Sequence, residues 1–210
     1  MNFWHALGEQ LKHPHGLMGR IVGHAMCVVN KAPNRQAVKA LNIRPDDRVL
    51  ELGFGPGQAV AMMARHITEG IIYGIDASGE MLVQAQKRNS VALKEGKVRL
   101  ATGDFPPLSF DDQSLDKILA VNVMYFWRDA PAILAECHRV LRPGGKIVIY
   151  VTDAASMQNW KFADRDTHIL YTQDDVRVAL LQGGFEPNKI KIKTINVMSG
   201  VTGIVAITEK

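Results

Sequence analysis

Three glycines at alternate positions follow a short apolar run, Arg48 to Leu52, as Gly53, Gly55 and Gly57. An apolar run bounded by turn residues predicts a buried parallel strand. Glycines permit a tight turn and let a ligand approach the bare backbone. The helix that we predict from Gln58 offers unpaired N–H groups and a positive dipole end. The pattern therefore predicts a loop that binds a polar or anionic ligand of the nucleotide type.

The glycine spacing distinguishes this loop from a dinucleotide-binding one. The dinucleotide fingerprint G-x-G-x-x-G carries its third glycine on the helix, where this sequence has Gln58. The stretch 51–57 instead resembles the first motif, E-x-G-x-G-x-G, of the class I S-adenosylmethionine-dependent methyltransferases, and it matches at every fixed position. The alternative is a glycine-rich turn without a ligand. The resemblance implies S-adenosylmethionine as the cofactor, bound here by Glu51, Gly53, Phe54, Gly55 and Gly57.

Two aspartates follow later strands of the predicted sheet. Asp76 ends the second strand, where a carboxylate can accept hydrogen bonds from both hydroxyls of a ribose. The resemblance implies that Asp104 accepts the adenine amino group and that the backbone N–H of Phe105 reaches a ring nitrogen. A helix-capping aspartate and an ordinary Gly-Asp turn are the alternatives. The other positions that the resemblance places around the cofactor are Ala77, Ser78, Met81, Gly103, Asn122 and Val123.

The loop after the fourth strand runs from Asn122 to Trp127 and includes three consecutive aromatic residues. Ligands of doubly wound sheets lie beyond the carboxyl ends of the strands, so we expect these aromatic residues to border an acceptor and to pack under the next helix. The loop lacks the Asn/Asp-Pro-Pro-aromatic signature of methyltransferases that modify bases, which argues against nucleic-acid substrates. Leu141 to Gly145 resembles the L-[KR]-P-G-G turn of the ubiquinone and menaquinone methyltransferases and their small-molecule relatives.

The implied reaction is in-line transfer of a methyl group from a sulfonium to an O, N, C or S atom. Because the sulfonium is already activated, the protein mainly supplies alignment and a dry pocket. A base is needed only if the acceptor must lose a proton. No unmistakable base is present; His24, Tyr125 and His168 are candidates by placement, and a structural role is the alternative for each. The two cysteines have no metal-ligand spacing, so we expect no metal.

Strand-like and helix-like segments alternate from position 47 onward. This alternation predicts an α/β fold, a Rossmann-like doubly wound seven-stranded sheet that is mostly parallel with one antiparallel strand near the C-terminus. The connection 198–200 is too short for a parallel crossover, so the last two strands should be antiparallel neighbours. The predicted strands are 47–52, 71–76, 97–101, 115–121, 146–151, 189–197 and 201–208, and the predicted helices are 58–66, 79–93, 130–141 and 173–181.

The first 45 residues are basic, since six lysines and arginines against Glu9 give +5 in a chain of net charge +4. They include an apolar helix near 17–29, in which Gly19 and Gly23 permit close packing. We predict one domain, 1–210, with a helical lid (1–45) over a Rossmann-like core (46–210). Asn30, Asn34 and Arg35 are placed to reach the cofactor carboxylate or to lie on the surface. An amphipathic membrane helix is disfavoured because its polar face is thin.

These features predict a cytoplasmic S-adenosylmethionine-dependent methyltransferase acting on a small molecule. No apolar run has the ~18 residues of a membrane span, and no signal pattern is present. The sequence leaves the oligomeric state open. Peripheral contact of the basic leader with an anionic membrane, or with an acidic substrate, is an alternative to a solvated face. The functional alternatives are a lipid or quinone-like acceptor at a membrane surface, a nicotinamide oxidoreductase, and a non-catalytic cofactor-binding protein.

Overall fold

The structure, a computed structural model, describes residues 3–198 and 200–210. Its strands are β1 (Arg48–Leu52), β2 (Ile71–Asp76), β3 (Val98–Thr102), β4 (Leu115–Val121), β5 (Leu141–Thr152), β6 (Lys191–Met198) and β7 (Val201–Glu209). These strands form a sheet in the order β3-β2-β1-β4-β5-β7-β6. β7 is antiparallel to both β5 and β6, and the other neighbours pair in parallel. The predicted sheet is confirmed; Ser199, in the predicted connection, lies outside the described residues.

The helices are α1 (Phe3–Lys12), α2 (Gly16–Val29), α3 (Lys31–Leu41), α4 (Gln58–Met63), α5 (Gly79–Arg88), α6 (Ser90–Lys94), α7 (Ala130–Val140), α8 (Ala154–Met157) and α9 (Gln173–Gln182). The predicted helix 79–93 is thus two helices, and the predicted helix 58–66 is shorter. The break falls at Asn89, whose side-chain amide donates to the carbonyls of Ala85 and Gly57. An asparagine amide competes in this way with the backbone bonds of a continuing helix.

The strand β5 begins earlier than predicted, at Leu141 rather than Lys146. Leu141 pairs with Leu115, and Lys146 pairs with Lys117, so the intervening residues form an irregularity within the ladder. Gly144 has a φ of 74° at this point, a left-handed conformation that glycine adopts without a steric penalty. The Pro-Gly-Gly turn of the sequence is therefore a bulge inside a long strand.

Helices cover both faces of the sheet. On one face, α7 packs Ile133, Leu134, Cys137 and Val140 into the core at the predicted helical spacing. The other face is covered by α3, α4 and α5. From β1 the chain adds β2 and β3 on one side of the sheet, and it then crosses to add β4 on the other side of β1. The carboxyl ends of β1 and β4 therefore form the topological switch point, where α/β sheets bind ligands.

The predicted lid, residues 1–45, contains two kinds of helix. α3 packs directly on β4 and β5, and its residues Ala37 and Leu41 are fully buried. α1 and α2 instead pack on each other, and α2 packs on α5. α3 is therefore part of the helical layer that covers the sheet. Of the predicted lid, only the described residues before Asn30 lie over the carboxyl ends of the strands. In the described part of the chain, no helix has the length and apolar character needed to cross a membrane.

Candidate active site

A cavity of about 620 Å³ lies at the carboxyl ends of β1, β2 and β4. Its volume falls within the range of ordinary small-molecule sites. Segments around residues 11–14 and 26–34 cover it from the N-terminal side. Twelve of the fourteen residues predicted around the cofactor line this cavity: Glu51, Gly53, Phe54, Gly55, Asp76, Ala77, Met81, Gly103, Asp104, Phe105, Asn122 and Val123.

The glycine loop passes close to the loop that follows β4. Gly53 and Gly55 have φ values of 68° and 51°, a region that favours glycine. The N–H of Gly53 donates to the Ile75 carbonyl at 2.8 Å, and a Cβ on Gly53 would overlap the side chain of Val123. A Cβ on Gly55 would meet only Met26 Cε, at 3.6 Å. The backbone at Gly55 thus leaves room for a ligand beneath α2.

Gly57 and Ser78 are the two residues predicted around the cofactor that do not line the cavity. Gly57 has a packing role instead. It precedes α4 with a φ of 72°, and a Cβ here would lie 2.6 Å from Asn89 Nδ2 and 2.7 Å from the Cβ of Ala85. Gly57 therefore allows α4 to pack closely against the end of α5. The glycine motif does not predict this packing role, because the motif does not show where α5 lies.

Asp76 holds the two loops of the site together. Its Oδ2 accepts from the Gly55 N–H and its Oδ1 from the Ser78 N–H, both at 2.8 Å. Burial raises the pKa of this carboxyl, and the two backbone N–H groups oppose the rise. Each carboxylate oxygen can accept a second hydrogen bond, so both oxygens retain acceptor capacity beside the cavity.

Ser78 fixes the loop that follows β2. Its hydroxyl accepts from the Met81 N–H at 3.2 Å, which makes it the N-cap of α5 as expected for a serine at that position. The same hydroxyl donates to the Pro14 carbonyl at 2.5 Å. The connection between α1 and α2 is therefore attached directly to the loop that carries Asp76.

Glu51 is a buried carboxylate with an unsatisfied oxygen. Its Oε2 has no hydrogen-bond partner among the described residues, although the side chain borders the cavity. Burial raises the pKa of Glu51 well above its ordinary value, and the nearby charge of Asp76 raises it further. Native proteins rarely leave such a group unsatisfied. A cation or a hydrogen-bond donor in the cavity would satisfy it.

Part of the cavity wall is apolar and aromatic, and charged residues lie beside it. Phe126, Trp127 and Ile133 line the cavity together with Lys12, Arg128 and Asp129. Trp127 is buried, and its Nε1 has no hydrogen-bond partner within the described chain. Sequence reasoning placed an aromatic wall here, but the unsatisfied indole N–H and the two cations emerge only from the fold.

The three candidate bases do not line the cavity. His24 is exposed on α2, with Nδ1 2.8 Å from the Arg20 carbonyl. The buried Tyr125 hydroxyl donates to Asn122 Oδ1 at 2.8 Å and accepts from the Thr152 N–H. Burial raises the pKa of this phenol. Tyr125 therefore positions Asn122, whose φ is 52°, rather than facing the cavity itself.

His168 is buried against aromatic rings. Its ring centroid is 4.9 Å from that of Phe126 and 5.9 Å from that of Tyr125, and its Nδ1 lies 2.9 Å from Thr167 Oγ1. Burial lowers the pKa of His168 to about 4, so the ring is neutral at pH 7. This histidine supports the wall behind the cavity.

Polar contacts attach the N-terminal helices to the site. Asn122 Nδ2 donates to Asn30 Oδ1 at 2.9 Å. Asn34 Nδ2 donates to Gln58 Oε1 at 2.9 Å. Asn30 and Asn34 both line the cavity, whereas Arg35 is exposed away from it. Of the three leader residues considered for the cofactor carboxylate, the structure therefore brings two to the site.

Gly19 and Gly23 permit close packing of α2 against a neighbour, as predicted, and the neighbour is α5. A Cβ on Gly23 would overlap the Gln84 side chain, and one on Gly19 would lie 2.9 Å from the Pro14 carbonyl carbon and 3.4 Å from Glu80 Cγ. The opposite face of α2 remains exposed.

A family model described as a methyltransferase domain matches residues 49–145. The uncharacterized methyltransferase YdaC of Bacillus subtilis is 33% identical over 129 residues, 61% of this chain and 69% of YdaC. A demethylmenaquinone methyltransferase of Thermotoga maritima is 32% identical over 143 residues, 68% of this chain and 58% of that protein. The chain spans about half the length of several other curated relatives.

Among solved structures, an S-adenosylmethionine-dependent methyltransferase from Aquifex aeolicus aligns with a TM-score of 0.66 at 17% identity. The alignment covers 99% of this chain and 100% of that one. The chain belongs to the class I S-adenosylmethionine-dependent methyltransferases. S-adenosylmethionine is the cofactor of this family, and the cavity fits it in three respects: the unsatisfied Glu51 oxygen, the open backbone at Gly55 and the acceptor capacity of Asp76.

Proposed function

We propose that this protein transfers the methyl group of S-adenosylmethionine to a small, oxygen-bearing aromatic molecule, with a quinone-type ring as the favoured acceptor class. Asp76 accepts hydrogen bonds from the ribose hydroxyls, and Asp104 with the Phe105 N–H binds the adenine. Glu51 pairs with the ammonium group of the methionine part. The bound cofactor supplies a methyl carbon that its sulfonium activates for nucleophilic attack.

The observation that carries this proposal is the pair of acids at the ends of β1 and β2. Asp76 is held by two backbone N–H groups with acceptor capacity remaining, and Glu51 has an unsatisfied oxygen beside the same cavity. A nucleoside that also carries a cationic group satisfies both. S-adenosylmethionine combines a ribose with an ammonium, which agrees with the family of the chain.

The acceptor class is inferred from the aromatic part of the cavity wall. Phe126 and Trp127 offer ring surfaces, which suit an aromatic acceptor. Lys12, Arg128 and the Trp127 indole N–H offer donors that stabilise an acceptor oxygen as negative charge develops on it. The Thermotoga maritima relative is named for demethylmenaquinone, which supports a quinone-type ring. Alignment, exclusion of water by α1 and α2, and these donors supply the catalysis in this proposal.

Titration of the protein with S-adenosylhomocysteine tests the cofactor site. Because hydrogen bonds to a charged group contribute about 1.5–3 kcal/mol each, Asp76→Ala should weaken binding about 100-fold or more. Asp46→Ala is the matched control, since Asp46 is exposed at the opposite end of the sheet, and it should bind as the parent does. Equal binding by Asp76→Ala and the parent would overturn the proposal.

Turnover is measured separately, as S-adenosylhomocysteine released after addition of a naphthohydroquinone. Parent protein with this acceptor should release product, whereas protein with the cofactor alone should not. Tight cofactor binding with no release for any aromatic oxygen acceptor would favour a non-catalytic binding protein instead.

A further inference from the structure

α2 is apolar around almost its whole circumference. A helix of this kind is normally buried on every side. Here Gly19, Val22 and Gly23 form a buried face, and the two glycines bring that face against the region of α5. The opposite face is exposed and consists of large apolar side chains: Leu17 (74% exposed), Met18 (51%), Ile21 (58%), Val28 (78%) and Val29 (53%).

These five residues, which we call the α2 strip, lie on one side of the helix. Leu17, Ile21 and Val28 follow the helical repeat, and Met18 and Val29 lie beside them. The exposed Ala25 continues the apolar surface between Ile21 and Val28, and the exposed His24 borders it. Scattered exposed apolar residues are ordinary on a protein surface, whereas a contiguous apolar patch marks an interaction site. No described part of the chain covers the strip.

The surroundings of the strip are cationic. Arg20 borders it on α2, and Lys31 and Arg35 are exposed on the first turns of α3, which directly follows. Arg20 pairs with Glu80 at 3.2 Å while remaining largely exposed. Glu9 is the one acidic residue between positions 1 and 45. An apolar strip bordered by lysine and arginine complements an anionic lipid surface.

A second copy of the chain fits this surface less well. Packing the α2 strip of two copies together would bring positive borders of the same sign near each other, and like charges across an interface are unfavourable. Anionic headgroups neutralise the same residues instead. Charge complementarity thus selects a bilayer over self-association.

We propose that the α2 strip docks this protein on the surface of an anionic phospholipid bilayer. The inference rests on the proposed function in one respect, because the proposed acceptor is an apolar ring that dissolves in lipid. In the structure, α2 lies between the strip and the cavity. Met26 and Cys27, on the inner side of the same helix, line that cavity. A docked α2 therefore places the cavity next to the membrane.

The thin polar face of α2 does not argue against this docking. That objection applies to an isolated helix, which needs a polar face toward water while its apolar face enters the lipid. In this fold the second face is covered by protein, through Gly19 and Gly23 on the α5 side. Only the strip and its basic border need to match the membrane.

Sedimentation of the full chain with vesicles tests the proposal. The parent should sediment with vesicles of phosphatidylcholine and phosphatidylglycerol, and much less with phosphatidylcholine alone. The double variant Ile21→Gln and Val28→Gln should bind the anionic vesicles at least about tenfold more weakly, because it removes two apolar anchors. The matched control is Val91→Gln with Val178→Gln, two valines exposed on α6 and α9, which should sediment like the parent.

A second double variant tests the contribution of the charged border of the strip. Lys31→Gln with Arg35→Gln should weaken binding to the anionic vesicles about tenfold and should make added salt less inhibitory. S-adenosylhomocysteine affinity should be unchanged in every variant, which also shows that each one is folded. A parent that does not bind cofactor but still sediments would contradict the proposed function and leave the docking intact.

Three results would overturn the docking proposal. The first is a parent protein that stays in the supernatant with anionic vesicles. The second is equal sedimentation of the parent and the Ile21→Gln, Val28→Gln variant. The third is a parent dimer, seen by light scattering, that this variant dissociates, because that result assigns the strip to a second copy.

Discussion

Buried carboxylates differ in their partners between the edge of the sheet where the parallel strands begin, the amino edge, and the edge where they end, the carboxyl edge. At the amino edge, Asp116 Oδ2 accepts from the Arg48 N–H at 2.7 Å, and Oδ1 lies 2.6 Å from Arg142 Nη1. Oδ1 makes no hydrogen bond within the described residues, yet the guanidinium is close enough to neutralise the charge. At the carboxyl edge, Glu51 has an oxygen with no partner within the described residues. The same chemical group is structural where the chain supplies its partner and is available to a ligand where it does not.

Removal of Asp116 should give the largest change in stability. Asp116→Ala leaves the Arg48 N–H without its acceptor, and an unsatisfied backbone group costs about 2 kcal/mol. Arg142 is half exposed, so water solvates its charge when Asp116 is removed. For a chain of this size the loss corresponds to a fall in Tm of about 6 °C. S-adenosylhomocysteine affinity, measured well below the Tm, should not change.

Asp112→Ala is the control for this loss. Asp112 is exposed and also pairs with an arginine, Arg139, at 2.7 Å. An exposed pair contributes little, so its loss should change stability by less than about 1 kcal/mol. If Asp116→Ala weakened cofactor binding as strongly as Asp76→Ala, the two edges would not differ in function.

Glu51→Gln should change stability in the other direction. The amide is neutral at every pH, so it avoids the free-energy cost that burial imposes on a carboxyl group at pH 7, and the unfolding free energy at that pH should rise by about 1 kcal/mol. Cofactor affinity should fall about tenfold because an amide pairs less well with an ammonium. Thermal unfolding and titration with S-adenosylhomocysteine measure both effects. A variant that is both less stable and equally able to bind would contradict the role that we assign to Glu51.

The pH dependence of binding should be the smallest effect. Since burial raises the pKa of Glu51 above its ordinary 4.5, the stability associated with its protonated form is present below pH 4.5 and is lost as the pH rises through the raised pKa. A cationic ligand favours the ionised form. S-adenosylhomocysteine affinity should therefore increase with pH up to that pKa and then become constant, and the Glu51→Gln variant should lack the increase.

Much of the fold follows from local sequence patterns. The bounds of β2 and β4 agree with the prediction because each is an apolar run between turn or polar residues. The reversed β7 follows from the shortness of its connection to β6. The break at Asn89 was missed because it depends on hydrogen bonds between a side chain and the carbonyls of Ala85 and Gly57, one of which is distant in sequence.

The site was predictable where a motif fixes both residue type and position. Asp76 and the residues around Gly53 and Gly55 line the cavity because strand ends of a parallel sheet meet at one edge. The unsatisfied Trp127 N–H was not predictable, because the distance from the indole to possible acceptors depends on the tertiary structure. Tyr125 and His168 could not be separated from catalytic groups by sequence, because only burial distinguishes them.

Hydrogen exchange of the full chain, with and without S-adenosylhomocysteine, is the measurement that tests the central difference between the two edges most directly. Binding should slow amide exchange in the segments 53–58, 76–81, 103–106 and 122–128. The amino-edge segments 44–48 and 142–146 should exchange at the same rate in both samples. Protection at the amino edge, or unchanged exchange in the segments that contain Gly55 and Ser78, would contradict the account.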